Sequence, residues 1–176
     1  DHFEPYLEKS FKRLPLLKKT GVRKSFSGPE SFTPDTQYLL GETSEVKNLY
    51  VCCGFNSIGI ASSGGAGKVT AEWIINGYMN EDLYSLDIKR FQKFHSSKKF
   101  IMNRVTETLG DLYGMHWPYK QHKTSRDQRL LPYHKELKKV GACFGQSGEY
   151  ERPMWFALNG EKPDYKYNFN YQNWYP

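Results

Sequence analysis

The sequence predicts an α+β fold, and three observations predict it. Short apolar runs bounded by turn residues, at 37–41 and 49–53, read as strands. Apolar residues at helical spacing mark helices over 1–19, 68–76, 96–113 and 131–140. A single helix follows the strand at 49–53 and no second strand completes a βαβ unit, which describes a sheet corner.

Composition bounds the rest. The chain has 176 residues, enough for one ordinary domain or two small ones. Apolar content is only 38%, but 16% of residues are aromatic and can bury a large area each, so a folded chain is expected. The formal charge of +6 is spread along the sequence, so no nucleic-acid partner is expected. No run approaches the roughly 20 apolar residues of a membrane span. Cys52, Cys53 and Cys143 lack zinc spacing and read as small core residues in a reducing compartment.

In chain order, Phe3, Tyr6, Leu7, Phe11, Leu14 and Leu17 give the first helix its apolar stripe, and Pro15 ends or kinks it. Residues 22–32 are expected to form a strand carrying Val22, Phe26 and Phe32. Thr33-Pro34-Asp35 is a turn, with Pro34 fixing φ and Asp35 closing an Asx-type hydrogen bond. The central stretch, 49–77, runs from an apolar strand through small residues (Gly54 to Gly67) into a helix starting at Lys68 and stopping before Gly77. Such a turn aims backbone N–H groups and a positive helix end at one spot, as an anionic or electron-rich edge requires; close helix–strand packing is the plainer reading of the same residues. An acidic loop at 80–82 precedes Leu83, Leu86, Ile88 and Phe91. An aromatic segment follows the third helix at 115–119, and Gly141 ends the fourth. Ala142 to Gly145 is a strand or turn, and the Tyr- and Asn-rich tail from Glu151 shows no period.

Several motifs are weighed and set aside. Gly64-Gly65-Ala66-Gly67-Lys68 fails as a P-loop, because Ser62 stands at the first glycine position and Val69 where a metal-binding hydroxyl is needed. The acidic residue and second strand of a dinucleotide fingerprint are missing as well. His116 and His122 lack a third ligand at metal spacing, so no metal is expected. Arg126, Arg129, Lys135, Lys138 and Lys139 read as a solvated helix face. Glu30 and Asp35 make a carboxylate pair on paper, with Asp35 better used to close its own turn.

The blocks Gly28-Pro29-Glu30-Ser31-Phe32-Thr33-Pro34-Asp35, Gly41-Glu42, Gly54-Phe55-Asn56-Ser57-Ile58-Gly59 and Gly64-Gly65-Ala66-Gly67 together resemble the C-terminal part of a flavin domain. The family is that of the FAD-dependent dimethylglycine and sarcosine dehydrogenases, within the D-amino-acid-oxidase-like flavoproteins; the regulatory subunit of pyruvate dehydrogenase phosphatase is a non-catalytic relative. The resemblance implies a division into residues 1–92 (end of the flavin domain), 93–150 (central domain) and 151–176 (lead-in to a folate-binding, aminomethyltransferase-like domain).

Members of that family oxidise an N-methyl amine by hydride transfer to flavin N5. The product is an iminium that yields formaldehyde or a folate adduct, and electrons pass on to an electron-transfer flavoprotein. By resemblance, Phe55, Asn56, Ser57, Ile58, Gly59 and Ile60 lie along the isoalloxazine ring near its pyrimidine edge. The helix entered at Gly64 to Gly67 then stabilises negative charge there, and glycines 54 and 59 allow close approach to the ring. Some relatives carry a lysine at this edge, where this sequence has Ala61. The N-terminal dinucleotide-binding βαβ unit, the histidine that carries covalent flavin and the folate domain are not in these residues. The expectation is therefore a fragment, or one chain of a split α/β FAD-binding amine-oxidoreductase fold. It would hold an incomplete FAD site, pair with the rest of the flavoprotein, and lie in the mitochondrial matrix if eukaryotic and in the cytoplasm otherwise.

Overall fold

In the computed structural model, which describes residues 2–116 and 120–165, proline fixes where the first helix stops. Helix α1 (Glu4–Arg13) has Pro5 in its first turn, Glu4 at its N-terminus and Lys12 and Arg13 at its C-terminus. Each charge suits the helix dipole. Leu14 leaves helical geometry at φ −134°, ψ 85°, and Pro15–Lys19 continues as a 3-10 turn. Residues 22–32 have no regular structure, against the expected strand. Their apolar residues do not alternate, and Gly28-Pro29 removes a ladder donor in the middle. The chain divides into two compact units, Asp1–Glu30 and Ser31–Pro176.

The larger unit opens with the Thr33 turn and the antiparallel pair β1 (Leu39–Glu42) and β2 (Tyr50–Cys53). Leu40 also donates its N–H to Leu86 O at 2.8 Å, so the segment at 86–87 lies along the far edge of β1. Helix α2 (Gly59–Asn76) packs over this corner through Ala66 and Trp73, and Gly77 ends it in a left-handed cap at φ 77°. Leu40, Ala66 and Leu86 form the core, with Tyr38, Phe55, Val69 and Leu83 around them. The helix begins at Gly59, not at Lys68 as expected. Its three interior glycines, Gly64, Gly65 and Gly67, cost it up to about 1 kcal/mol each, and burial of Ala66 and Trp73 on one face offsets that cost. Cys52 and Cys53 are exposed, which corrects their reading as core residues, because β2 pairs with β1 alone among the described strands and its other edge stays open; Cys143 is buried.

Helix α3 (Lys98–Tyr113) leads to a second sheet in the order β3 (Arg129–Leu130), β5 (Tyr150–Phe156), β4 (Ala142–Ser147), with the short helix α4 (His134–Lys139) ahead of β4. Strand β5 falls where the sequence showed no period. Pro153 sits opposite Phe144, beside a register shift between Cys143 and Phe144. A proline at a bulge obscures the alternation that marks a strand. Gly148 and Glu149, both at positive φ, make the tight turn of the β4–β5 hairpin. Residues 117–119 of the aromatic segment and residues 166–176 of the tail lie outside the described residues.

Buried charges in this half are paired. Arg104, 1% exposed, donates to Glu149, Thr124 O, Ser125 O and Gln146. Glu151, also 1% exposed, accepts from Arg126, from Gln146 and from the Asp127 N–H. Arg129 lies 3.8 Å over the Tyr150 ring. Arg126 and Arg129 are thus structural, and only Lys135, Lys138 and Lys139 of the basic run lie on α4. No described helix is long and apolar enough to cross a membrane.

Two outcomes follow from this packing. Gly41 lies at φ +103° with the Trp73 ring where a Cβ would be. Gly41→Ala should therefore cost about 2 kcal/mol through overpacking and backbone strain, read as a lower urea-unfolding midpoint; an unchanged midpoint would mean this contact does not seat α2. Burial acts to raise the Glu151 pKa, yet the hydrogen bonds from Arg126 and Asp127 hold it below its ordinary value. The folded chain then binds that proton more weakly than the unfolded one. Its stabilisation is present above the ordinary carboxylate range and is lost as pH falls through the folded value. Glu151→Gln should flatten the acid limb of a stability–pH curve and lower stability at neutral pH; an unaltered acid limb would remove Glu151 from that role.

Candidate functional site

The candidate site is the connection between β2 and α2. Gly54 leaves the strand at φ +70°, and a Cβ on it would lie 2.8 Å from Thr33 Cγ2. Asn56 and Ser57 then take left-handed backbone, φ 48° and 66°. That conformation is disfavoured for residues other than glycine and persists only where neighbours hold it.

Asn56 supplies the hold. It is 2% exposed. Its Oδ1 accepts the Thr33 N–H at 2.8 Å, its Nδ2 donates to Gly54 O at 2.6 Å and to Thr33 Oγ1 at 3.2 Å, and its own N–H donates to Ser31 O at 3.0 Å. Phe55 turns inward and stacks on Tyr38, ring centroids 4.8 Å apart.

The six residues singled out from the sequence therefore divide into two groups. Phe55 and Asn56 face the fold and fix the loop; Ser57, Ile58 and Ile60 are exposed, with Ile60 fully so, and Gly59 is half-buried. Gly59 is at ordinary φ, and a Cβ there would meet only the Phe55 side chain, Cβ at 3.4 Å and Cγ at 3.6 Å. Gly54, by contrast, is required by backbone and packing alike.

The helix end lies among these residues and not at Gly64 to Gly67. Ile58 is the N-cap and makes no side-chain capping bond. The N–H groups of Gly59, Ile60 and Ala61 thus have no partner within the helix, at the end where the helix dipole is positive. Backbone donors beside a fully exposed residue suit the electron-rich edge of a planar ring such as the flavin pyrimidine, with no side-chain charge, since Ala61 supplies none. The donor set fits that group.

The turn that carries Thr33 is itself fixed. Asp35 Oδ1 accepts from Thr33 Oγ1 and Gln37 N, each at 3.1 Å, closing the turn as expected. Arg90, its side chain 8% exposed, grips the same carboxylate with two bonds, Nε to Oδ2 at 2.7 Å and Nη2 to Oδ1 at 3.1 Å. Asp35 is thus engaged in structure and not free for acid–base work. Nothing in the sequence singles out Arg90, because a partner 55 residues away leaves no local pattern.

A cavity of about 580 Å³ lies on the other side of this turn, lined by Phe32, Pro34, Leu39, Ile88, Phe91 and His95 among others. Burial pushes the His95 pKa down, and its Nδ1 accepts the Gln92 N–H at 2.8 Å. Glu107, Asp111 and His122 bring one ligand atom each within 4.8 Å of one another. Both carboxylates are already engaged, Glu107 by the N–H groups of Lys123 and Thr124 and Asp111 by Lys120. Burial lowers the His122 pKa as well.

Residues 1–73 match the family described as FAD dependent oxidoreductase, and residues 76–130 match the FAD dependent oxidoreductase central domain. The chain is 41% identical over 175 residues to 4-methylaminobutanoate oxidase (formaldehyde-forming) of Paenarthrobacter nicotinovorans, covering 99% of this chain and 21% of that protein. It is 36% identical over 168 residues to mitochondrial sarcosine dehydrogenase of Homo sapiens, covering 95% and 18% respectively. It is 37% identical over 157 residues to the mitochondrial pyruvate dehydrogenase phosphatase regulatory subunit of Mus musculus, covering 89% and 18%. The chain spans about a fifth of the length of these curated relatives.

Asn56→Ala leaves the Thr33 N–H and Gly54 carbonyl without partners and keeps a left-handed backbone that alanine disfavours. A loss of about 1 to 3 kcal/mol is expected, with faster amide exchange at Thr33; unchanged exchange there would show that Asn56 does not hold the loop.

Proposed function

Because this chain belongs to the FAD-dependent oxidoreductase family, we propose that it is part of an N-methyl amine dehydrogenase of the dimethylglycine or sarcosine type. In that reading it supplies the wall along the isoalloxazine ring. The observation that carries the reading is the loop at 54–58, held in strained backbone by a buried amide and opening directly onto an uncapped helix N-terminus. FAD, when bound, supplies the two-electron acceptor for the hydride that leaves the substrate N-methyl carbon. The chain's own part is electrostatic. The N–H groups of Gly59, Ile60 and Ala61 would face the pyrimidine edge, where the helix end acts as about half a positive charge. Phe55 and Asn56 keep those donors in place beforehand, so little reorganisation is needed as charge builds.

The bacterial relative's name, a formaldehyde-forming oxidase of 4-methylaminobutanoate, supports an N-methyl substrate. The finer assignments belong to the same proposal. Residues 1–92 close the flavin domain, 93–150 are central domain, and 151–176 lead toward a folate-binding region. The rest of the flavoprotein completes the FAD site, and an electron-transfer flavoprotein takes the electrons. Mitochondrial names among the relatives support the matrix as the address in a eukaryote.

The likeness to a phosphatase regulatory subunit favours a second, non-catalytic reading. Colour separates the two. The full-length protein should purify yellow, and Gly59→Leu, which places a branched side chain beside the donors, should lower its flavin content. A colourless, correctly folded protein would favour the regulatory reading, and full flavin in the leucine variant would overturn the placement of this loop.

A further inference from the structure

We propose that Arg90 is a positioning residue for the flavin-edge loop, acting through Asp35, Thr33 and Asn56; the inference rests on the flavin-wall reading above. A consistent set of donors runs the whole way. Asn56 Nδ2 donates to Thr33 Oγ1 at 3.2 Å, the Thr33 hydroxyl has Gln37 O at 2.8 Å as its nearer acceptor and Asp35 Oδ1 at 3.1 Å as its second, and Arg90 donates to both of those groups. Arg90 is fixed in turn at its other end. Nη2 donates to Gln37 O at 2.8 Å, Nη1 to Asp87 O at 3.1 Å, and the guanidinium lies 4.4 Å over the Phe91 ring.

Two features make this a positioning device and not general cohesion. The first is location. Asp35 and Asn56 lie in the residues matched to the FAD-dependent oxidoreductase family, and Arg90 lies in those matched to its central domain. The ion pair therefore ties the flavin-side turn to the following segment at the turn that anchors Asn56. The second is strain. Asn56 and Ser57 keep left-handed backbone only while the anchor holds. A shift of the Thr33 turn is thus passed to the first N–H groups of α2, which come next in the chain. Arginine is the residue for this task, because its planar fork fits both carboxylate oxygens while spare N–H groups reach carbonyls.

The test uses the flavin-loaded full-length protein with Arg90→Met, Asn56→Ala and the double variant, read by flavin midpoint potential and flavin content. Each single variant should lower the potential, so that the reduced-to-oxidised ratio at a fixed ambient potential falls roughly three- to tenfold, the effect of one net hydrogen bond. The double variant should shift no further than the larger single one, since both cut the same relay. If Arg90→Met does not accumulate as folded protein, Arg90→Lys serves in its place, keeping the charge but losing the fork, with a smaller shift in the same direction. An unmoved potential in the Arg90 variant beside a shifted one for Asn56→Ala, or shifts that simply add, would overturn the relay alone. Wild-type potential in Asn56→Ala together with full flavin in Gly59→Leu would overturn the flavin-wall reading beneath it.

Discussion

A buried amide must be satisfied, and the larger unit is arranged around how that is done for Asn56. Leaving such a group unpaired costs more than a made hydrogen bond returns, so the loop, the Thr33 turn and the strand exit at Gly54 are bound to one another by necessity. Thr33 N–H, Thr33 Oγ1 and Gly54 O are the partners. The two Thr33 groups belong to a turn that Asp35 closes and Arg90 grips through the Asp35 carboxylate. The start of α2 inherits its place from this arrangement, since Ile58 N already bonds Phe55 O at 2.9 Å and the helix runs on from there.

The second half of the unit uses the same device with full charges. Arg104 and Glu149 join α3 to the hairpin turn, and Arg126 and Glu151 join the 120s segment to the central strand. Removing one member of such a pair leaves an uncompensated buried charge, which is costlier than never having had the pair. These pairs therefore fix which segments meet, in a sequence whose apolar content is modest. The small aliphatic core of Leu40, Ala66 and Leu86 supplies burial but little direction.

What the sequence made legible was local. Pro15 stopping a helix, Asp35 closing a turn and Gly77 capping α2 depend on one residue and its neighbours. The start of α2 was hidden because glycines signal a turn by propensity, while burial of Ala66 and Trp73 carries the helix through them. Strand β5 was hidden by Pro153, whose missing donor is absorbed at a register shift. Resemblance alone singled out Phe55 to Ile60, and nothing in their types told which face inward. The Arg90–Asp35 pair was invisible, because contacts between distant residues leave no periodicity.

In the proposed function, the first N–H groups of α2 meet the pyrimidine edge of a flavin. The most direct measurement is an experimental structure of the flavin-loaded, full-length protein. N–H groups from Gly59 to Ala61 should lie about 3 Å, hydrogen-bonding distance, from the flavin N1 or C2 carbonyl, with Asn56 still bonded to Thr33. A flavin seated with that edge against other residues, and these N–H groups facing solvent or protein, would contradict that function.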